Sequence, residues 1–389
     1  MKIGIFTDSY RPYTSGVVRS IDTFAAELTA MGHEIYIFAP NYPDCEPEAG
    51  IFRFFSIPAP TQKEFSLAIP FAPTIGATIR QLGLELIHVH SPFLLGRLGA
   101  RCAKRYDLPL VFTYHTLYDK YIHYVPWLQS LSRTLMQQFI RNFCNNCDTV
   151  IVPTDIVAKM LKEQDIHTPL LTIPTGINLT VFEQADPRWL RNKYHIPNEE
   201  LILLFVGRLG QEKNLEFLLR AYQEILKRQP QTRLVLVGSG SEAEHFQTLS
   251  VDLGLAAHVI FTGNLPYQEV ANCYAGADLF VFASVTETQG LVIGEAKAAR
   301  LPVVAVDAYG VSEMINPGVD GYLTPLDLGV FTSKIEELLD NAPLRAQLAQ
   351  NAHLAAAQFS SRHMAAKLSE AYSDLVAQKK QLPSRKAIG

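Results

Sequence analysis

Short β-rich runs alternate with helical patterns, break off once and then restart, so the chain reads as an α/β protein of two Rossmann-like domains in tandem. Its 389 residues exceed one ordinary core, and 48% hydrophobic content supplies both domains with material to bury. A charged content of 19% and a formal net charge of −4 exclude a disordered chain and a general nucleic-acid-binding surface.

The first series opens at Ile3-Gly4-Ile5-Phe6 and enters an amphipathic segment from Val17 to Met31, which Gly32 stops. Apolar runs at Ile35–Phe38, Leu86–Val89, Leu110–Thr113, Val150–Val152 and Leu170–Ile173 follow as strands between turn residues and helical stretches. The second series starts at Leu201–Val206 and continues through Leu234–Val237, Val259–Phe261, Leu279–Phe282 and Val303–Val306. Turn residues and charges between Pro174 and Pro197 mark the boundary, giving expected domains of 1–178 and 179–359. Neither opening strand is followed by G-x-G-x-x-G, which argues against a dehydrogenase.

The apolar stretch Met1–Phe6 is too short for a signal peptide, and no run approaches the roughly 18 apolar residues of a spanning helix. The expectation is a cytoplasmic protein, peripheral to a membrane if it meets one. Asn178-Leu179-Thr180 matches a glycosylation acceptor that such a chain would not expose to the machinery. Five mostly scattered cysteines suit free thiols. Cys144-Asn145-Asn146-Cys147 is either half of a redox or zinc site or a structural pair, and no second pair completes four ligands.

The chemistry concentrates in Glu287-Thr288-Gln289-Gly290-Leu291-Val292-Ile293-Gly294-Glu295, which reads as a strand end, a turn at Gly290 and a helix start. Free N–H groups at such a start suit a phosphate, with one carboxylate before the helix and another in its second turn to take hydroxyls. The combination suits a sugar nucleotide. Directly after the first strand of the second series, Gly207-Arg208-Leu209-Gly210-Gln211-Glu212-Lys213-Asn214 adds two cations. Arg208 can fork onto phosphate oxygens and Lys213 can add a point charge, so a departing diphosphate can be neutralised without a metal. A solvated loop with a charged helix start is the plainer alternative.

With these motifs in this order, the chain resembles the retaining GT-B glycosyltransferases, the large family that includes sucrose and glycolipid synthases. The resemblance extends to the Ser15-Gly16-Val17 turn and covers essentially the whole chain. It implies two Rossmann-like domains facing each other across a cleft, the first holding most of the acceptor and the second the nucleotide sugar, with a last helix near 360–378 crossing back onto the first. It further implies that Glu295 binds ribose hydroxyls, that Glu287 approaches the donor sugar, and that Gly290, Leu291 and Val292 cradle the diphosphate while Arg208 and Lys213 stabilise it as it leaves. Gly16 would approach the donor phosphate, and Asn264 and Leu265, with Gly238-Ser239-Gly240, would line the nucleoside pocket. Structural turns are the other reading of those two segments.

His115 follows the strand Leu110–Thr113, where ligand-facing residues gather in parallel sheets, and the resemblance puts a histidine there beside the reacting sugar. His90 is a second candidate, although His88 and His90 share a face and suit packing equally. Gly310 and Glu313 sit in a loop that the family uses near the donor sugar, or form a turn and a helix-start carboxylate. No Asp-x-Asp metal motif is required, no resident cofactor is implied, and the UDP-sugar is a co-substrate.

Met1–Tyr10, Tyr114-His115-Thr116-Leu117-Tyr118 with His123-Tyr124, and Ile173–Ile177 look most like bacterial diacylglycerol glucosyltransferases. That likeness implies UDP-glucose as donor, a lipid acceptor and an anionic membrane surface, on the inner face of the plasma membrane. Arg97, Arg101, Lys104 and Arg105 fall on one side of an expected helix, either to attract headgroups or as a solvated face. Trp127, Leu128, Leu131, Leu135, Met136, Phe139, Ile140 and Phe143 form a stripe that suits a bilayer surface or the helix's own domain. The basic tail from Lys379 to Lys386 would aid membrane contact. A soluble-acceptor transferase, a nucleotide-sugar epimerase and a non-catalytic sensor are the competing readings, and the oligomeric state is left open.

Overall fold

The structure, a computed structural model, describes residues 1–43, 45–60, 65–118 and 132–381. It forms two compact units, one from Met1–Gly176 with the C-terminal helix Ser361–Gln381 and the other from Ile177–Ser360. Among the described residues, the strands of the first unit are β1 (Lys2–Phe6), β2 (Glu34–Pro40), β3 (Ile51–Phe54), β4 (Ser56–Pro58), β5 (Ser66–Ala68), β6 (Leu86–Val89), β7 (Leu110–Thr113), β8 (Thr149–Val152) and β9 (Leu170–Thr172). A parallel sheet runs in the order β3-β2-β1-β6-β7-β8-β9, with β4 and β5 forming a separate antiparallel pair. The second unit holds β10 (Leu201–Val206), β11 (Thr232–Val237), β12 (Val259–Gly263), β13 (Leu279–Phe282), β14 (Val303–Val306) and β15 (Gly321–Thr324), in the order β12-β11-β10-β13-β14-β15, again all parallel.

Parallel sheets covered by helices are apolar on both faces, which is why these strands read as continuous hydrophobic runs. Ile3, Ile5, Leu86, Val111 and Ile151 are all buried in the first core, and burial of each such side chain stabilises by about 1.5–3 kcal/mol. Rings stack through the same unit, with Phe6 4.3 Å from Phe38 and Phe38 4.9 Å from Phe52. Strands β3 and β15 lie at the edges of their sheets and do not stand out in the sequence, because Arg53 interrupts one and Gly321 opens the other.

The helix Ser361–Gln381 packs on the helix Gly16–Ala30 of the first unit. Ser361 Oγ donates to Glu27 Oε1 at 2.5 Å, Ser369 Oγ lies 2.9 Å from His33 Nε2, and Tyr372 OH lies 2.6 Å from His88 Nδ1. Lys379 and Lys380, read as part of a basic tail, pair with Asp107 at 3.1 Å and Glu85 at 3.9 Å. The rest of that tail lies outside the described residues.

In the second unit, Lys297 and Asp320 form an ion pair with side chains 1% and 0% exposed. Lys297 Nζ donates to Asp320 Oδ2 at 2.8 Å and to the Met314 carbonyl at 2.9 Å, while Asp320 also accepts from the Asn316 backbone and side-chain amides. The pair ties the helix Leu291–Ala298 to the segment entering β15. Two buried charges hold only while each has the other, since removing one leaves its partner desolvated and uncompensated. Asp320→Ala is therefore expected to destabilise this unit by about 3–5 kcal/mol in urea unfolding; a loss below about 1 kcal/mol would show that Lys297 finds water or another acceptor.

Candidate active site

In a parallel sheet every strand-to-helix loop leaves from the same edge, so the neighbouring order β12-β11-β10-β13-β14 gathers five loops at one place. The loop after β10 carries Arg208 and Lys213, and those after β11 and β12 carry Gly238–Gly240 and Asn264-Leu265. The loop after β13 carries Glu287 and Gly290, and that after β14 carries Gly310. Residues as far apart in sequence as Arg208 and Gly310 thus share one rim.

The first loop is clamped from the side. Gly207 N–H donates to the Val237 carbonyl at 3.0 Å, Leu209 N–H to Ser239 at 2.9 Å, and Glu242 N–H to Leu209 at 3.1 Å. A Cβ on Gly238 would stand 2.1 Å from the Gly207 carbonyl oxygen and one on Gly240 2.4 Å from that of Leu209. Gly238-Ser239-Gly240 is therefore the brace of the cationic loop. Arg208 Nη2 donates to Glu212 Oε1 at 2.6 Å; Glu212 is 2% exposed and Arg208 37%, so a buried carboxylate aims a partly exposed guanidinium. Asn214, left-handed at φ 54°, then turns the chain into the helix Leu215–Arg228.

Lys213 pairs with Glu287, both largely enclosed at 15% and 18% exposure, which ties the loop after β10 to the loop after β13. Ser284 Oγ donates to Glu287 Oε1 at 2.8 Å and also lies 3.2 Å from the Glu212 carbonyl, so one hydroxyl touches both loops. Gly290, at φ 80° and ψ 52°, makes the turn into the helix Leu291–Ala298 and, as its N-cap, has no side chain of its own to cap it. The loop after β14 holds the turn in place: Gly310 N–H donates to the Glu287 carbonyl at 3.0 Å, and a Cβ on Gly310 would stand 2.0 Å from the Thr288 carbonyl oxygen.

Glu295 is 1% exposed, and its carboxylate accepts from Tyr274 OH at 3.0 Å and from Tyr267 OH at 3.3 Å. Both tyrosines belong to the helix Tyr267–Gly276, which the exposed Asn264 and half-buried Leu265 lead into. The sequence motifs contain Glu212 without marking its role, and they do not include Ser284, Tyr267 or Tyr274.

In the first unit, Gly16 opens the helix Gly16–Ala30, is exposed, and has open space where a Cβ would stand; Ser15 Oγ caps that helix by accepting from Val18 N–H at 3.2 Å. His88 lies in β6, His90 directly follows it, and His115 follows the adjacent β7. His88 is held at both ring nitrogens, by Tyr372 OH and by Thr113 Oγ1 at 2.7 Å, and His90 Nδ1 lies 2.8 Å from His115 Nε2. Desolvation pushes the pKa of His88 and of the partly buried His115 down to about 3 and that of His90 well below its ordinary value.

Cys144 and Cys147 are buried, and burial pushes the Cys144 thiol up to about 12 and Cys147 well above the ordinary thiol range, so the pair is packing and not a reactive thiol site. Among the described residues no group of three or more His, Cys, Asp or Glu is placed to hold a metal ion. Arg97, Arg101, Lys104 and Arg105 are all exposed on the helix Leu94–Tyr106. Of the apolar stripe, Ile140 and Phe143 are buried, Phe139 stacks on Phe93 at 5.8 Å, and Leu135 is 53% exposed. Trp127, Leu128 and Leu131, with His123 and Tyr124, lie outside the described residues.

The chain matches the family Glycosyl transferases group 1 over residues 188–354 and Glycosyltransferase Family 4 over residues 14–181. It is 34% identical to the alpha-monoglucosyldiacylglycerol synthase of Streptococcus pneumoniae over 83% of this chain and 75% of that protein. The Acholeplasma laidlawii protein of the same name is 31% identical over 97% and 98% of the two chains. This chain belongs to the group 1 glycosyltransferases. It is a hexosyltransferase by family, and its two units are the paired Rossmann-like domains of the GT-B fold. Sucrose-phosphate synthase from Thermosynechococcus elongatus superposes with a TM-score of 0.80 at 23% identity, covering 97% of this chain and 99% of that one. Anabaena HepE in complex with UDP-glucose gives 0.76 at 20% identity, covering 96% and 100%.

The desolvated histidine cluster is expected to make this glycosyltransferase acid-sensitive. Unfolded imidazoles take up protons near pH 6.5, whereas His88 and His115 in the fold resist protonation until about pH 3. The unfolded state therefore binds more protons through that window, and stability present above pH 6.5 is lost on acidification, by up to about 1.4 kcal/mol per pH unit for each imidazole. Urea midpoints are expected to fall between pH 7 and pH 5, with a shallower fall in His88→Gln; a slope unchanged by that substitution would place the acid sensitivity elsewhere.

Proposed function

We propose that the protein is a retaining, metal-independent glucosyltransferase that moves glucose from UDP-glucose to a lipid acceptor, 1,2-diacylglycerol, at a membrane surface. The observation that carries the reading is the rim of the second unit. Arg208 and Lys213, each aimed by a carboxylate, stand in a loop tied to the one that opens the helix Leu291–Ala298 at Gly290. Two cations and a set of helix-start N–H groups suit a diphosphate, and they gain strength as negative charge develops on it during departure.

In this reading Glu287, fixed by Lys213 and Ser284, accepts from hydroxyls of the donor sugar, and Glu295 takes the ribose hydroxyls in exchange for its tyrosine contacts. Gly290, Leu291 and Val292 cradle the diphosphate, Asn264 and Leu265 line the nucleoside side, and Gly16 and His115 serve from the first unit. The acceptor hydroxyl attacks the anomeric carbon from the side the diphosphate leaves, forming the new C–O bond as the old one breaks and passing its proton to the departing phosphate oxygen. Configuration is then retained without an enzyme nucleophile.

The lipid acceptor follows from the two relatives, whose names describe synthesis of an alpha-glucosylated diacylglycerol. Among the described residues no helix is long and apolar enough to cross a membrane. The exposed face of Arg97, Arg101, Lys104 and Arg105 supports peripheral attachment to anionic headgroups, on the inner face of the plasma membrane.

Incubation with radiolabelled UDP-glucose and vesicles with or without diacylglycerol tests the reading. Label is expected in the chloroform phase only when diacylglycerol is present, with Lys213→Met slower by roughly 10²–10³-fold and Glu295→Ala inactive. Label passing instead to water-soluble sugars or polyols, or unchanged turnover in Glu295→Ala, would refute it. Membrane attachment has its own readout: Arg101→Gln with Lys104→Gln is expected to weaken binding to anionic vesicles by about 2 kcal/mol, roughly thirtyfold, at low salt. Equal binding to neutral and anionic vesicles would exclude the basic face.

A further inference from the structure

Among the described residues, Asp107, Asp165, His195, Asn214, Arg300 and Tyr309 hold a left-handed backbone without being glycine. All but Tyr309 close helices, at the cap or directly after it, where that conformation is ordinary. Tyr309, at φ 43°, instead opens the turn after β14, and its Cβ and bulky ring make that conformation costly. The shape of the turn is imposed by the neighbouring loop. Gly310 N–H donates to the Glu287 carbonyl, a Cβ on Gly310 would stand 2.0 Å from the Thr288 carbonyl oxygen, and Val311 N–H closes back on the Ala308 carbonyl at 3.0 Å. A glycine at 309 would meet the same shape without strain. Strain kept for a bulky side chain at the edge of a binding rim points to work done by that side chain.

The rim also has an order that says which part of a ligand reaches this turn. Along β12-β11-β10-β13-β14, the nucleoside segments Asn264-Leu265 and Gly238–Gly240 follow β12 and β11, the cations follow β10, the helix start at Gly290 follows β13, and Tyr309 follows β14. A sugar nucleotide laid along that order, nucleoside first, has its diphosphate at Gly290 and its hexose at the turn of Tyr309. We propose that Tyr309 is a specificity-determining residue for the donor, its aromatic face taking the C–H face of the transferred hexose. The proposal rests on the reading of this rim as a sugar-nucleotide site. The polarised C–H groups of a hexose are attracted to the electron-rich face of a ring, which leaves the sugar hydroxyls to carboxylates such as Glu287. Tyr309 is half-buried and adjoins Gly310, whose N–H holds the Glu287 carbonyl at 3.0 Å, so ring and carboxylate are carried on backbones joined by one hydrogen bond.

Calorimetric titration of UDP and of UDP-glucose into the whole chain, with urea unfolding of the same samples, tests the proposal. Tyr309→Gly and Tyr309→Asn both suit a left-handed backbone and both remove the ring. They are expected to weaken UDP-glucose binding roughly three- to tenfold, the worth of one aromatic contact, with UDP binding changed less than about twofold and the urea midpoint unchanged or raised. Tyr309→Phe keeps the ring and is expected to bind both ligands as the wild type does. A lowered midpoint with UDP-glucose binding intact would make the ring a packing element of its unit and overturn the proposal. Equal weakening toward UDP and UDP-glucose would place the ring on the diphosphate and overturn it as well. A wild-type chain that binds neither nucleotide would remove instead the reading of the rim on which the proposal stands.

Discussion

The ion pair between Lys213 and Glu287 is the constraint on which the candidate site depends, because it joins the loops after β10 and β13 beyond the point where the sheet pairs those strands. Ser284 touches both sides of that junction, and Gly310 braces the far side by donating to the Glu287 carbonyl. Each cation of the rim is thus matched by one carboxylate. The pairing orients the cations before any ligand is present, so little reorganisation is left for the moment when charge develops. It also limits the cost of gathering two positive groups at one edge, since the partly buried charges neutralise each other in low dielectric.

The two units arrange polarity differently. The rim of the second is charged and paired, Arg208 with Glu212 and Lys213 with Glu287, and the helix Leu291–Ala298 is anchored by the buried Lys297–Asp320 pair. The strand ends of the first unit instead carry three neutral imidazoles whose desolvation keeps them unprotonated. Neutral histidines can donate and accept in the same network, which suits recognition of hydroxyl groups, whereas fixed cations suit phosphate.

Much of the fold was legible because parallel strands buried on both faces appear as unbroken apolar runs. Leu86–Val89, Leu110–Thr113, Leu201–Val206, Leu279–Phe282 and Val303–Val306 occur at the residues their composition marks. The edge strands β3 and β15 were not, since Asp320-Gly321-Tyr322 reads locally as a turn and only pairing with β14 makes it a strand. The positions of Arg208, Lys213, Glu287 and Glu295 were readable from spacing, but their partners were not. Tyr267 and Tyr274 reach Glu295 from a helix more than twenty residues away, and the bracing role of Gly238 and Gly240 rests on how closely two loops pack. The stripe near Phe139 carried too little information in sequence to separate a membrane face from a packed one; Ile140 and Phe143 turn inward.

The central claim is that the rim of the second unit binds a nucleoside diphosphate through its own cations and helix start. Calorimetric titration of UDP into the whole chain in the presence of EDTA tests it most directly. The account predicts one UDP per chain without divalent metal, with affinity lowered at least roughly tenfold in Arg208→Met, since charge-assisted bonds of about 1.5–3 kcal/mol are lost. Binding that appears only when a divalent cation is added, or that is unaffected by Arg208→Met, would contradict it.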